Sequence, residues 1–155
     1  MSLIIATGTN QGNKLENLSQ ALFLLEKNFI LKAKSQIYKS KAISYTAQPN
    51  FYNQVLEFRT PSFKPEKILT ICQKIEKQMG RIKNFKNGPR IIDIDIIFIN
   101  SLIYKGENLE IPHPRTFERS FVISPLKELP AFSELSKKFN FSKPIHNSAK
   151  PINDN

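Results

Sequence analysis

Asp93 and Asp95 stand inside Gly88-Pro89-Arg90-Ile91-Ile92-Asp93-Ile94-Asp95-Ile96-Ile97-Phe98-Ile99, a run that otherwise reads as a buried, Ile-rich strand. Side chains alternate faces along a strand, so the two carboxylates point the same way. Like charges about 6 Å apart, at an effective dielectric of about 20, repel by about 2–3 kcal/mol. A compensating cation removes that cost. One reading is therefore a platform for a hard metal, magnesium with a polyphosphate. The other is two acids at a solvated strand end, or paired with nearby arginines.

The segment before these acids, Arg81-Ile82-Lys83-Asn84-Phe85-Lys86-Asn87-Gly88-Pro89-Arg90, is basic and shows no period. It is either a surface loop or a lid that closes over phosphates, for which the guanidinium fork is the matching donor. Gln73 and Glu76 lie one helical turn apart, as a solvated face or a nucleotide contact. His113, set in Ile111-Pro112-His113-Pro114-Arg115, lies near Arg115 and Arg119 and could join them in an anion-binding patch. Asn53, with Phe51 beside it on one strand face, could hold a planar heterocycle by an amide hydrogen bond and ring stacking. Gly8-Thr9-Asn10-Gln11-Gly12-Asn13-Lys14 lacks the spacing of a P-loop and reads as a tight turn, from which Asn10 could face a ligand.

Elements follow from periodicity and punctuation. Leu3–Ala6 begins a strand, and Asn13 caps a helix to about Lys27, with Glu16 in the capping-box position. Residues 29–38 read as a strand, 39–50 as a loop, and 51–58 as a second alternating strand. Pro65 opens a helix whose apolar stripe is Ile68, Ile71, Cys72, Ile75 and Met79, and Gly80 stops it. The aspartate strand follows, then a proline-punctuated third with a short helix at about 120–128. The tail from about residue 143 is expected to be loose.

The order β-α-β-β-α-β over residues 3–99 predicts an α+β fold with a ferredoxin-like core. Its antiparallel sheet would carry two helices on one face, and C-terminal additions would complete an αβα sandwich. All 155 residues are expected in a single domain. No run has the apolar length of a membrane helix, no signal-peptide pattern opens the chain, and the lone Cys72 suits a reducing compartment. A cytoplasmic protein is therefore expected. The net charge of +10, from 23 basic and 13 acidic residues, favours anionic partners. A ferredoxin-like nucleic-acid module would use that charge too, but no RNP-like aromatic pattern is present.

Taken together, the motifs resemble the 6-hydroxymethyl-7,8-dihydropterin pyrophosphokinases of folate biosynthesis. The most specific match is Gly88-Pro89-Arg90-Ile91-Ile92-Asp93-Ile94-Asp95, to a G-P-R-x-x-D-[LIV]-D signature. Support comes from Thr7-Gly8-Thr9-Asn10, Gln48-Pro49-Asn50-Phe51-Tyr52-Asn53, Gln73-Lys74-Ile75-Glu76 with Gly80-Arg81, and Ile111-Pro112-His113-Pro114-Arg115 with Glu118-Arg119-Ser120-Phe121.

The resemblance implies transfer of pyrophosphate from ATP, the co-substrate, to the pterin hydroxymethyl oxygen. It implies two Mg²⁺ ions between the phosphates and Asp93 and Asp95. Ser40, Ile43, Phe51, Asn53, Asp93 and Phe121 then match the pterin site. Gln73, Glu76, Arg90, Ile96, His113 and Arg119 match the ATP site. Arg81 and Lys83 fall in the mobile catalytic loop, and Arg90 joins them as a catalytic residue. The implied partners are these two small molecules, with no nucleic acid and no membrane, acting on a monomer.

Overall fold

The computed structural model describes residues 1–42, 47–81, 89–142, 145 and 148–152. In chain order the elements are β1 (Ser2–Thr9), α1 (Lys14–Leu25), β2 (Leu31–Lys34), β3 (Tyr38–Ser40), β4 (Phe51–Arg59), α2 (Pro65–Gln78) and β5 (Asp93–Ile99). A hairpin of β6 (Tyr104–Lys105) and β7 (Glu110–Ile111) follows. After it come a 3₁₀ turn (Thr116–Glu118), α3 (Ser120–Leu126), α4 (Phe132–Lys138) and β8 (Lys150–Pro151).

The main sheet has the order β5-β1-β4-β3-β8, with β2 also paired to β4, and every pairing is antiparallel. This is the split-βαβ arrangement the sequence predicts. α1 starts where expected: the Glu16 amide donates to Asn13 Oδ1 at 3.1 Å. α2 has Pro65 in its first turn, and Gly80 just beyond its end has φ of +87°, a conformation that favours glycine.

Of residues 29–38, expected as one strand, 31–34 form β2, and β3 starts only at Tyr38 and takes in Lys39 and Ser40, expected in the loop. Ser35 breaks the ladder between β2 and β3, its amide donating to the Val55 carbonyl at 2.9 Å and its Oγ accepting from Val55 N at 3.0 Å. The register of β2 on β4 also shifts between Leu31 and Ala33. Two short strands thus share one edge of β4, which frees β3 to follow the first residues of β4 closely.

The sheet separates two cores. Leu3, Ile5, Leu56, Phe58, Ile94 and Ile96 pack under α1 and α2 against Leu18, Leu25, Ile68 and Cys72. Ile4, Val55, Ile97 and Phe98 pack on the other face against Val122 and Leu126 of α3 and Leu135 of α4. A register shift opposite Ile4 and Ile5 places Ile97 and Phe98 together in this second core, a β-bulge. Phe98 also meets Phe117, Phe139 and Phe141, with ring centroids 5.2–6.2 Å apart. The sheet face that a nucleic-acid module would leave open is therefore covered by packed helices and phenylalanines.

The α4 helix, the β6–β7 hairpin and β8 are too short to give a periodic signal. Part of the tail expected to be loose is paired, because Lys150 and Pro151 add to the outer edge of β3. β5 is the opposite edge strand, and two of its outward backbone groups are occupied. Ile94 N donates to Glu76 Oε2 at 2.8 Å, and Ile97 O accepts from His113 N at 3.3 Å. Among the described residues, no helix is long and apolar enough to cross a membrane.

Candidate active site

The cleft floor comes from the pattern of β1. Leu3, Ile5 and Thr7 point to one face; Ile4, Ala6 and Gly8 point to the other, so side chains on this face shrink toward the end of the strand. Gly8 lies between Asn53 of β4 and Asp93 of β5, and Ala6 lies between Val55 and Asp95. Two cross-strand rows result, Asn53–Gly8–Asp93 and Val55–Ala6–Asp95. Adjacent strands lie about 4.8 Å apart, so an amide and a carboxylate face the cleft about 10 Å apart across a glycine. A Cβ on Gly8 would come within 3.1 Å of Asn53 Oδ1 and 3.7 Å of the Phe51 ring. A side chain here would push the Asn53 amide by a few tenths of an ångström and fill the cleft floor.

An open cleft stands over these rows. Ser40, Phe51 and Asn53 line one side, and His113, Thr116, Arg119 and Phe121 line another. Arg90, Asp93 and Asp95 lie toward the β5 edge. Six predicted pterin or metal residues, Ser40, Phe51, Asn53, Asp93, Asp95 and Phe121, thus meet in one place, with Arg90, His113 and Arg119 from the predicted nucleotide set. Asn53 Nδ2 donates to Ser40 Oγ at 2.8 Å, which orients the amide and leaves Oδ1 on the Gly8 side. The Arg90 guanidinium lies 5.9 Å from the Phe51 ring centroid, and that of Arg119 lies 5.4 Å from Phe121.

The two aspartates differ in environment. Both oxygens of Asp93 are held: Oδ1 accepts from Arg81 Nη2 at 3.0 Å and Oδ2 from Arg90 Nη1 at 2.8 Å. Asp95 has no ion pair among the described residues. Burial first, then the charge of Asp93, pushes the Asp95 carboxyl up to about 6, against the pull of Arg119, Arg81 and Arg90. Of the alternatives left open by the sequence, pairing with nearby arginines is what Asp93 shows, and Asp95 lies beside it without such a partner among the described residues.

The donor set fits magnesium. It offers hard oxygen ligands on one strand face. Among the described residues no cluster of three or more acids, histidines or cysteines forms a closed cage. Mg²⁺ keeps several waters and binds through one or two carboxylates plus substrate phosphates.

Above the acids, burial and then Arg119 push the His113 pKa down. The Arg115 amide donates to Nδ1 at 3.4 Å, so a neutral ring carries its proton on Nε2. Burial, then Arg115, also lowers the Arg119 pKa. Among the described residues its Nε has no hydrogen-bond partner, and neither does the buried Thr116 hydroxyl. A cationic, incompletely satisfied wall of this kind suits phosphate oxygens.

Asn10, a possible ligand contact by sequence, is a structural staple. Its Nδ2 donates to Gln48 Oε1 at 2.7 Å and to the Pro49 carbonyl at 3.1 Å. Its Oδ1 accepts from Arg90 N at 2.8 Å, and its own amide donates to Arg90 O at 3.1 Å. The backbone of Arg90 is thereby pinned to the end of β1. Ile96 packs its side chain in the core under α2, and Gln73 is exposed on that helix; neither lines the cleft. Ile43 and Lys83 lie outside the described residues.

Glu76 caps the β5 edge rather than lining the cleft. Burial pushes its carboxyl from the ordinary 4.5 up to about 7. Between those values the folded protein keeps a proton that the unfolded chain releases, so stability falls as pH rises through this window. Gln in place of Glu76 keeps an acceptor for Ile94 N and removes the charge. Glu76→Gln should raise stability above pH 7 by on the order of 1 kcal/mol, with little effect near pH 4. Urea unfolding at pH 5 and pH 8 checks this; an unchanged difference between the two would refute it. Neighbouring Cys72 is inert, its thiol pushed up to about 12 by burial and by the charges of Glu76 and Asp95.

Comparison with known proteins gives a consistent set of relatives. The family model described as 7,8-dihydro-6-hydroxymethylpterin-pyrophosphokinase (HPPK) matches residues 4–131. The 2-amino-4-hydroxy-6-hydroxymethyldihydropteridine pyrophosphokinase of Aquifex aeolicus (strain VF5) is 34% identical over 157 residues, covering 97% of this chain and 95% of that protein. The protein of the same name from Bacillus subtilis (strain 168) is 37% identical over 127 residues, covering 81% of this chain and 75% of that protein. The folic acid synthesis protein FOL1 of Dictyostelium discoideum is 42% identical over 125 residues. The match covers 81% of this chain but only 19% of that longer protein. Among solved structures, an HPPK-DHPS in complex with substrates superposes with a TM-score of 0.64 at 19% identity, over 83% of this chain and 40% of that one. That likeness concerns the fold.

Proposed function

This chain belongs to the 7,8-dihydro-6-hydroxymethylpterin-pyrophosphokinase family, and on that premise we propose that it transfers pyrophosphate from ATP to 6-hydroxymethyl-7,8-dihydropterin in folate biosynthesis. The hydroxymethyl oxygen bonds to the β-phosphorus of ATP. The bond from that phosphorus to the oxygen bridging it to the α-phosphorus breaks, and AMP departs. The observation that carries the reading is the row Asn53–Gly8–Asp93, with Asp95 one row away.

Asn53 Oδ1 accepts from a ring N–H of the pterin, with the amide held by Ser40. Phe51 and Phe121 supply apolar faces for the flat ring, and Gly8 lets it lie close to the sheet. At the other end of the row, Asp93 and Asp95 would hold two magnesium ions, which when bound draw charge from the polyphosphate. Arg90, Arg119 and His113 Nε2–H bind phosphate oxygens. Arg81, just beyond Gly80, joins them from the basic segment. Phosphoryl transfer asks the protein mainly for alignment and charge stabilisation, and the cleft offers both.

In this reading the partners are two small molecules, and a monomer in the cytoplasm suffices. The test is incubation with ATP, Mg²⁺ and the hydroxymethyl pterin. AMP and the pterin diphosphate should appear together, and a chelator should abolish both. No AMP release with all three present would overturn the reading.

A further inference from the structure

The pterin slot has one wall on the sheet and one on a helix. Ser40, on β3, fixes Asn53. Phe121 lies in the first turn of α3 and lines the same cleft. The gap between these walls depends on how α3 is held against β3. β3 is only three residues long and pairs on its inner side with the start of β4. A strand this short needs other restraints to keep its place.

Two restraints are present, one at each end of α3. Just beyond the C-terminal end, Glu128 Oε1 accepts from Gln36 N at 2.9 Å. Its Oε2 accepts from the Tyr38 hydroxyl and from Gln36 Nε2, the latter at 3.3 Å. At the N-terminal end, Ser120 Oγ accepts from Ala149 N at 2.9 Å. From there the chain runs along the outer edge of β3, Lys150 opposite Lys39 and Pro151 opposite Tyr38, and Ile152 N donates to Ile37 O at 3.0 Å. β3 is therefore gripped from the helix side by one carboxylate and from its open edge by a strap anchored to the same helix.

We propose that Glu128 and the strap Ala149–Ile152 lock β3 to α3 and so set the width of the slot between Phe121 and the Ser40–Asn53 pair. Glu128 is then a positioning residue for the flat heterocyclic substrate, which it does not touch. The link runs from Glu128 through Tyr38 to β3, and from Ser40 to the Asn53 amide. Asp93, Asp95 and Arg90 lie toward the β5 edge of the sheet, away from this lock. The inference rests on the pterin reading of the cleft, and its two readouts separate failure of one from failure of the other.

Glu128 is exposed, so its variants are expected to fold. Glu128→Ala should raise KM for the pterin about fivefold to tenfold, while kcat and KM for ATP change by less than about twofold. Glu128→Gln, which keeps an acceptor, should restore most of the loss. Amide exchange measured without substrate should quicken at residues 38–40 in Glu128→Ala. The same should hold in Ile152→Pro, which deletes the donor to Ile37 O. β1 and β5 should stay protected in both. Unchanged exchange at β3 in Glu128→Ala would overturn the inference whatever the activity. Faster exchange with an unchanged pterin KM would overturn the link to the slot. Absence of turnover in the unmodified protein would overturn the functional reading instead.

Discussion

Asp95→Asn should abolish turnover and leave the protein at least as stable as before. The carboxylate sits on the cleft floor without an ion pair among the described residues, and burial and Asp93 together push its pKa up to about 6. In the metal-free protein at pH 8 its charge is a net cost. Neutralising it should raise the unfolding midpoint slightly. Turnover should fall by on the order of a thousandfold, the scale on which removal of an essential electrostatic stabiliser acts. Measuring kcat beside thermal unfolding at pH 8 checks both halves. Turnover near that of the unmodified protein would rule out Asp95 as a metal ligand. A large loss of stability would show that the side chain is structural.

Arg90→Ala should act on metal and nucleotide in opposite directions. The guanidinium grips Asp93 Oδ2 in the free protein, and we assign it to phosphate when ATP binds. Its loss removes a competitor for Asp93, so Mn²⁺ alone, as a magnesium surrogate, should bind about threefold to tenfold more tightly. Affinity for the metal complex of a non-hydrolysable ATP analogue should drop, and kcat/KM should fall by about a hundredfold. The backbone should not move, because Asn10 holds both the amide and the carbonyl of Arg90. Lysine should rescue poorly, since it lacks the planar fork. Calorimetric titration of metal with and without the nucleotide analogue separates the two effects. Weaker binding of both would refute the handover of Arg90 from carboxylate to phosphate.

Much of this could be read from the chain because the relevant signals are local. Alternation put Asp93 and Asp95 on one face, the Asn13 and Pro65 positions announced two helices, and the element order specified the sheet. What escaped was long-range. Ser35 looks like any residue of an alternating strand, and only its contacts with Val55 and Gln54 split that strand in two. Asn10 resembled a ligand contact because nothing local shows that its partners are 38, 39 and 80 residues away. Glu76 sits at a spacing that suits either a solvated face or a nucleotide contact, and its partner on β5 is invisible to helical periodicity. β8 is two residues long and carries a proline, so its edge pairing has no propensity signal.

The capped edge of β5 bears on self-association. An Ile-rich border strand with free amides is a template onto which another copy could hydrogen-bond, the usual first step toward fibrils. Here Glu76 occupies the Ile94 amide and His113 the Ile97 carbonyl, while Lys150 and Pro151 cover the outer edge of β3. Each of these contacts takes up border groups that a second copy would otherwise pair with.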